Sequence, residues 1–496
     1  MSELYSEIIK SKTSLQIPVF FDGRPMHSKY NPVQEGMTFA GQVKEYSGFI
    51  VVLGIGGGYH IKSISERFPE AHILAIENSA DDLNFLKNIQ CIQDLQKNKK
   101  ITFAACEEKS EISRLLTSLY IPAFHGNLSI CVHRAWAEHL PEKTKLLTKY
   151  IQQILSEISA DYSVQAHFGK IWQHNIMQNL YFFSEYSKKH SDCFQITQNF
   201  PTEKTAAVIA AGPSLDSSIE ELKLNRKNYY IISTDTALNS LLRNRIIPDA
   251  VISIDGQNVS HTHFMFTKKE LELNFFAKTL FIFDLCSNPD SVRQILNNGS
   301  KILFTRNSHP LSAVAGNFLK IQSGSGTVTI AACDFARKAG FSKIKTFAAD
   351  FSYFSGKAYA NGTYLEQNFN GNSYRLNSGE QQYDTLMFRT PLILKDIRKK
   401  IYTTEVLESY RKTFEQWQSD SSNKAACICE ISNPKDFSFG DFFKKLISTQ
   451  NNANGNFSAL LPYIAFLRKD KSFQNKDFSE LLKLAQSTLL QYNSWL

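Results

Sequence analysis

The sequence predicts an α/β protein with two Rossmann-like units, the second a doubly wound parallel sheet, followed by a helical C-terminal domain. Three observations carry this reading. Short, wholly apolar runs recur along the chain and are separated by helix-length amphipathic stretches, as in parallel sheets buried on both faces. Glycine-containing turns directly follow two of these runs, at Gly54-Ile55-Gly56-Gly57-Gly58 and at Ala211-Gly212-Pro213-Ser214. After Arg389 the apolar runs stop, and apolar residues recur at helical spacing up to Leu496.

The elements follow in order. Residues 1–45 read as a β-rich cap of short extended pieces, Ile17-Pro18-Val19-Phe20-Phe21 among them, joined by turns such as Asp22-Gly23. Residues 46–141 read as a Rossmann-like unit. Its first strand, Phe49 to Leu53, runs into the glycine turn and a helix through Arg67; a second strand, His72 to Ile76, ends on Glu77. Residues 142–200 form a helical connector, with Leu147, Tyr150, Ile151, Ile154, Leu155 and Ile158 on one face. Residues 201–394 hold the second series of strands: Ala206–Ala211, Tyr229–Ser233, Ala250–Ile254, Thr279–Asp284, Ile302–Phe304 and Ile344–Ala349. Residues 395–496 are the helical domain, in which Lys395, Arg398, Lys399 and Lys400 are expected to decorate a helix.

Composition excludes several classes. With 496 residues, 43% apolar and 21% charged, the chain has volume for several cores and is neither disordered nor fibrous. No apolar run nears the roughly 20 residues that cross a bilayer, and the acidic first ten residues lack a signal pattern. The eight cysteines show no CxxC pair and no zinc-type spacing with histidine. Cys427-Ile428-Cys429 fits alternation on an extended piece. A cytoplasmic location is the expectation. A net charge of +8 suits an anionic small ligand as readily as nucleic acid.

Two regions could carry chemistry. In the first unit, Gly54-x-Gly56-Gly57-Gly58 with Glu77 stands where a dinucleotide or S-adenosylmethionine binds, Glu77 taking the ribose hydroxyls. The same glycines also serve a tight turn and close helix packing. In the second, Gly212 permits a tight turn, Pro213 presets a helix start, and Ser214 offers a cap, a hydroxyl and N–H groups. Polar residues end the neighbouring strands: Asp235 and Thr236, Ser253 and Asp255, and Asp350 with Tyr353 and Tyr359 nearby. Ser323-Gly324-Ser325-Gly326-Thr327 precedes a helix over 328–338 and suits a phosphate. Because ligands of open α/β sheets bind beyond the strands' carboxyl ends, these residues should share one crevice. His261 and His263 show a metal-like spacing but no third ligand, so a solvated pair is expected.

The order Gly212-Pro213-Ser214, Asp235, Pro248-Asp249-Ala250-Val251-Ile252-Ser253-Ile254-Asp255, Gly324-Ser325-Gly326-Thr327, Ala349-Asp350-Phe351 resembles the central domain of motility-associated factor proteins. These are bacterial flagellin glycosyltransferases, and the domain is shared with a pterin pyrophosphokinase. The stretch Gly23-Arg24-Pro25-Met26-His27-Ser28 with Tyr30-Asn31-Pro32 fits the same architecture. The family is in turn similar to bacterial sialyltransferases. The resemblance implies transfer of a nonulosonic acid, of the pseudaminic or legionaminic kind, from a CMP-activated donor to Ser/Thr of flagellin. It implies no cofactor, no metal and no nucleic-acid partner. It places Gly212, Pro213 and Ser214 on CMP, and Asp235, Thr236 and Asp255 on base or ribose. Ser325, Gly326 and Thr327 fall at the phosphate, with Asp350 and Tyr359 at the reacting carbon. The sialyltransferases carry a His base after the Asp-Tyr segment, whereas the last histidine here is His309. Asp350 and His309 are therefore the candidate bases. A pterin pyrophosphokinase using ATP and Mg²⁺ on the same aspartates is the second expectation, and a non-catalytic flagellin chaperone the third.

Overall fold

The computed structural model describes residues 2–106, 108–196, 199–324, 326–354, 356–396, 398, 400–422, 426–427, 430–451, 457–473 and 476–495. Ser325, Lys399, Ile428 and Cys429, all named above, lie outside the described residues. The chain divides into two compact units. One comprises Met1–Gly169 with Leu461–Lys483, the other Lys170–Leu460 with Leu484–Leu496. One 49-residue helix, Pro141–Lys189, runs through the boundary between them.

In the N-terminal unit, β1 (Tyr5–Lys10) and β2 (Gln16–Phe20) pair as an antiparallel hairpin. A parallel sheet follows from β3 (Ser47–Leu53), β4 (His72–Glu77), β5 (Ile101–Ala105) and β6 (Asn127–Val132), in the order β5-β4-β3-β6. The order reverses beside β3, the switch point of a Rossmann-type half. Phe49 to Leu53 is buried along its whole length, as a parallel strand covered by helices on both faces requires.

The main sheet of the second unit has seven strands, all parallel where they pair: β7 (Thr205–Ile209), β8 (Tyr229–Thr234), β9 (Ala250–Ser253), β10 (Leu280–Asp284), β11 (Lys301–Arg306), β12 (Leu319–Lys320) and β13 (Ile344–Phe347). Their order is β12-β11-β10-β9-β8-β7-β13, with the switch between β7 and β13. Alternate residues serve two cores. Val208, Ile232 and Ile252 face the helix Val328–Lys338, while Ala207, Ile209 and Ile231 face Leu215–Leu224 and Asp235–Arg243. The α/β class and the helices beyond Glu405 are as the sequence predicts.

One expectation fails. Strands do not stop at Arg389, because β14 (Ile393–Asp396) and β15 (Ile401–Thr403) form a hairpin. Lys395, Arg398 and Lys400 accordingly lie on a hairpin and not a helix, with Lys395 Nζ 2.7 Å from Glu408. Two strands of three and four residues carry too few apolar positions for any periodicity to register. Among the described residues no helix is long and apolar enough to cross a membrane.

Candidate functional site

The switch point of the central sheet brings the turn after β7 against the segment after β13. Gly212 N–H donates to Ala348 O (3.0 Å), and Ala360 N–H to Ala211 O (2.9 Å). A Cβ on Gly212 would stand 2.4 Å from both Ala348 O and Asp350 Oδ2, so only glycine permits this approach. Ala348 and Phe351, on either side of Asp350, hold left-handed backbone at φ 55° and 45°. Such strain is kept where a side chain must be aimed. It aims Asp350 at the turn, where its carboxylate accepts Ser214 N–H (2.8 Å) and Ser214 Oγ–H (2.6 Å). Ser214 therefore does not cap the following helix, as its sequence position suggests; its hydroxyl orients Asp350. The anion position at that helix N-terminus is filled by the protein's own carboxylate.

Beside this pair stands a second acidic group. Asp235 is buried and accepts Ser253 Oγ–H (2.6 Å), Thr236 N–H (2.7 Å) and Thr236 Oγ1–H (3.1 Å). Asp255 accepts Gln257 N–H (3.0 Å). Burial pushes its carboxyl up, and the neighbouring Asp235 charge adds to the shift while His263 opposes it. Tyr359 feels Tyr364, Tyr353 and Asp235, and burial raises its phenol far above its ordinary value. Tyr364 feels both aspartates. His263 is buried with its ring edge-on to Tyr364 at 4.4 Å, its Nδ1 without a partner; it is no solvated loop residue, as the sequence reading has it. Asn175 and Asn179, one helical turn apart, secure the loops after β9 and β10. Asn175 donates to Gly256 O and Cys286 O, and Asn179 to Leu285 O and Ser287 O.

A family model described as "6-hydroxymethylpterin diphosphokinase MptE-like" matches residues 174–356, which take in Gly212, Asp235, Asp255 and Asp350. Two uncharacterized proteins of Treponema pallidum (strain Nichols) are similar to the chain. One is 32% identical over 226 residues, 45% of this chain and 79% of that protein. The other is 33% identical over 155 residues, 31% of this chain and 70% of that protein. Residues 174–356 are an MptE-like domain. Its fold is similar throughout to a solved structure described as MAf glycosyltransferase from Magnetospirillum magneticum AMB-1. The TM-score is 0.54 at 14% identity, over 99% of this chain and 86% of that one.

In the MptE-like domain Gly326 and Thr327 lead into the crossover helix from β12 to β13. That helix packs on β7, β8 and β9 antiparallel to them, so its N-terminus lies at the same carboxyl edge as Gly212. Thr327 caps it, accepting Ile330 N–H (3.1 Å), and Gly326 is exposed at φ 93° with open space around it. The hairpin β14–β15 reaches the site through Tyr402, which exchanges backbone hydrogen bonds with Tyr353 (2.7 and 2.8 Å).

His309 is not brought to Asp350. It follows β11, five strand steps from β13, or about 24 Å at about 4.8 Å per step. Buried beside Trp172, it caps the helix Pro310–Val314 through Nδ1, which accepts Leu311 N–H (3.1 Å). Burial lowers its pKa to about 3. Asp284, buried at the end of the adjacent β10, is raised to about 7 for the same reason, although Cys286 N–H bonds it at 2.8 Å.

The N-terminal glycine turn is filled by protein. Glu77, fully buried, accepts Ile55 N–H (2.9 Å), Gly56 N–H (3.4 Å), Asn78 N–H (2.9 Å), Trp136 Nε1–H (2.6 Å) and Tyr5 O–H (3.2 Å). Met26 and His27 stand over Gly56, and Trp136 over Gly54. No ribose can reach Glu77 in this arrangement. A cavity of about 1240 Å³ lies instead at the amino ends of β3 and β6, lined by Lys44, Tyr46, Tyr120, Tyr162, Arg468 and Lys476 among others. None of the predicted site residues borders it.

Proposed function

We propose that the protein is a glycosyltransferase that moves a nonulosonic acid from a CMP-activated donor to Ser/Thr hydroxyls of flagellin in the cytoplasm. The observation that carries this reading is the Ser214–Asp350 pair, set by strained backbone at the switch point beside Asp235, Asp255 and Tyr359. The likeness of fold to a protein described as a glycosyltransferase supports it.

In this reading CMP lies along the carboxyl edge of β7 to β9. Gly212 and Pro213 carry the turn against it, Asp235, Thr236 and Asp255 face base and ribose, and Gly326 and Thr327 face the phosphate. The acceptor hydroxyl oxygen bonds the anomeric carbon while the bond from that carbon to the CMP phosphate oxygen breaks, and CMP keeps the electron pair. The hydroxyl proton passes to Asp350, which Ser214 holds in line, as an orienting group holds a general base. Tyr359, its phenol raised by burial, stays protonated at neutral pH and donates to the leaving phosphate oxygen.

The family description favours a second reading, diphosphate transfer to a hydroxymethylpterin, in which Asp235 and Asp255 hold Mg²⁺. Intact-mass assay of flagellin with purified enzyme and CMP-activated sugar separates the two. Transfer is expected at the same rate with Mg²⁺ added or omitted. Loss of transfer that Mg²⁺ restores and Zn²⁺ does not would move the aspartates to metal-ligand roles. Absence of sugar transfer, together with ATP-dependent product from a hydroxymethylpterin, would replace the first reading by the second.

A further inference from the structure

Three imidazoles from distant parts of the sequence meet inside the N-terminal unit, in the switch-point crevice of its own sheet. His27 follows β2, His60 lies in the helix Tyr59–Arg67, and His133 directly follows β6. One ring nitrogen of each lies within 4.8 Å of the other two. Ring centroids are 4.8, 4.9 and 5.5 Å apart, and exposures are only 3%, 1% and 4%. Phe39 packs on the rings of His60 and His133.

Buried ring nitrogens normally find hydrogen-bond partners, and two of these do not. His60 Nε2–H donates to Gly54 O (3.0 Å), which leaves Nδ1 as the lone-pair nitrogen; that atom has no partner. His133 Nδ1 has none either. His27 Nδ1 lies 3.4 Å from Glu35 Oε2, and its Nε2 accepts Gly57 N–H (2.8 Å). A ring N–H held outward by a carbonyl or carboxylate, with the other nitrogen turned inward, is the arrangement of metal-bound histidine. A set of imidazoles selects zinc and its transition-metal neighbours over Mg²⁺ or Ca²⁺.

We propose that His27, His60 and His133 bind one divalent ion of the zinc class, with Glu35 holding His27 from outside. Zn–N bonds of about 2.0–2.1 Å set tetrahedral nitrogens roughly 3.3 Å apart, so the rings close by no more than about 1.5 Å on binding. Gly57 N–H gives up its acceptor if His27 ligates through Nε2. His27 comes from the β-rich cap, whereas His60 and His133 come from the loops and helices around β3 and β6. The ion therefore fastens the cap to the sheet, and its binding energy adds to the stability of the unit. This assignment is independent of the chemistry proposed for the central domain.

The test uses the full chain, stripped with chelator and titrated with Co²⁺ and then Zn²⁺. One Co²⁺ per chain is expected, with visible ligand-field bands, no thiolate charge-transfer band, and displacement by Zn²⁺ accompanied by a higher Tm. His60→Ala and His133→Ala should each weaken Co²⁺ binding by about 100-fold or more, and Glu35→Gln by roughly 10- to 100-fold. His190→Ala, at an exposed histidine elsewhere, should change nothing. If the alanine variants fail to fold by circular dichroism, His133→Asn and Glu35→Gln serve in their place. A stoichiometry near zero in the wild type, a thiolate band, or unchanged affinity in folded variants would overturn the assignment.

Discussion

The two glycine turns of this protein follow the same kind of element and meet opposite fates. Both come after the first strand of a parallel sheet, and both lie at its switch point. Around Gly54–Gly58 the crevice is closed by Met26, His27, Trp136 and the fully engaged Glu77. Around Gly212 the covering group is Asp350, half-buried, flanked by strained backbone and set near Tyr359 and Asp255, whose titration burial shifts upward. A glycine turn after a strand thus marks a close approach of backbone to something. Whether that is a ligand or a neighbouring side chain depends on what the rest of the chain delivers there.

Paired glycine substitutions give the sharpest contrast. Gly212→Val forces a side chain into Asp350 and Ala348 O, and should weaken CMP binding by about 100-fold or more in calorimetry. Gly56→Val meets Met26 and His27 at φ 49° and should cost about 3 kcal/mol in chemical denaturation, with CMP affinity changed only a few-fold. The opposite result would move the nucleotide to the N-terminal unit.

Next in size is Asp350→Asn, expected to lower transfer by about 10²-fold while CMP binding stays within a few-fold. Ser214→Ala, which removes only the orienting hydroxyl, should cost roughly 10-fold, with activity measured by intact mass of flagellin. Wild-type rates in Asp350→Asn would remove Asp350 from the mechanism; His309, buried and far along the sheet, is not its substitute.

Another contrast concerns stability against pH. Asp284 titrates near 7 when folded and near 3.8 when unfolded, so between these values the native state binds the extra proton. Its contribution falls as pH rises through that window, by on the order of 4 kcal/mol in all. His309 has the opposite sign. Its proton is bound only by the unfolded chain between about 3 and 6.5, so its contribution rises with pH there. Asp284→Asn, which keeps an acceptor for Cys286 N–H, should remove the fall and leave the rise visible in Tm from pH 4 to 6.5. An unchanged profile would show that Asp284 does not hold its proton in the folded state.

Much of the fold was legible because it rests on local rules. The apolar runs from Phe49 to Phe347 had the length and polarity of buried parallel strands, and the helix over 328–338 has the bounds read from the sequence. The hairpin β14–β15 was missed because short, half-exposed strands leave no period to read. Within the site, Gly212, Asp235, Asp255, Asp350 and Tyr359 could be named in advance because strand ends of one parallel sheet must share an edge. His263 was misjudged, since its burial depends on Tyr364, a hundred residues on.

The sequence by itself determined the long apolar strands of the two main sheets, that they run parallel, and which polar residues stand at their carboxyl ends. Periodicity and turn chemistry act over a few residues and are written in the chain. Only the tertiary structure decided that Ser214 holds Asp350 instead of capping a helix, that Glu77 is sealed beneath Trp136, and that His27, His60 and His133 converge. Each of these joins residues tens to more than a hundred positions apart, and the order of strands in the sheet, which no local pattern encodes, is what brings them into contact.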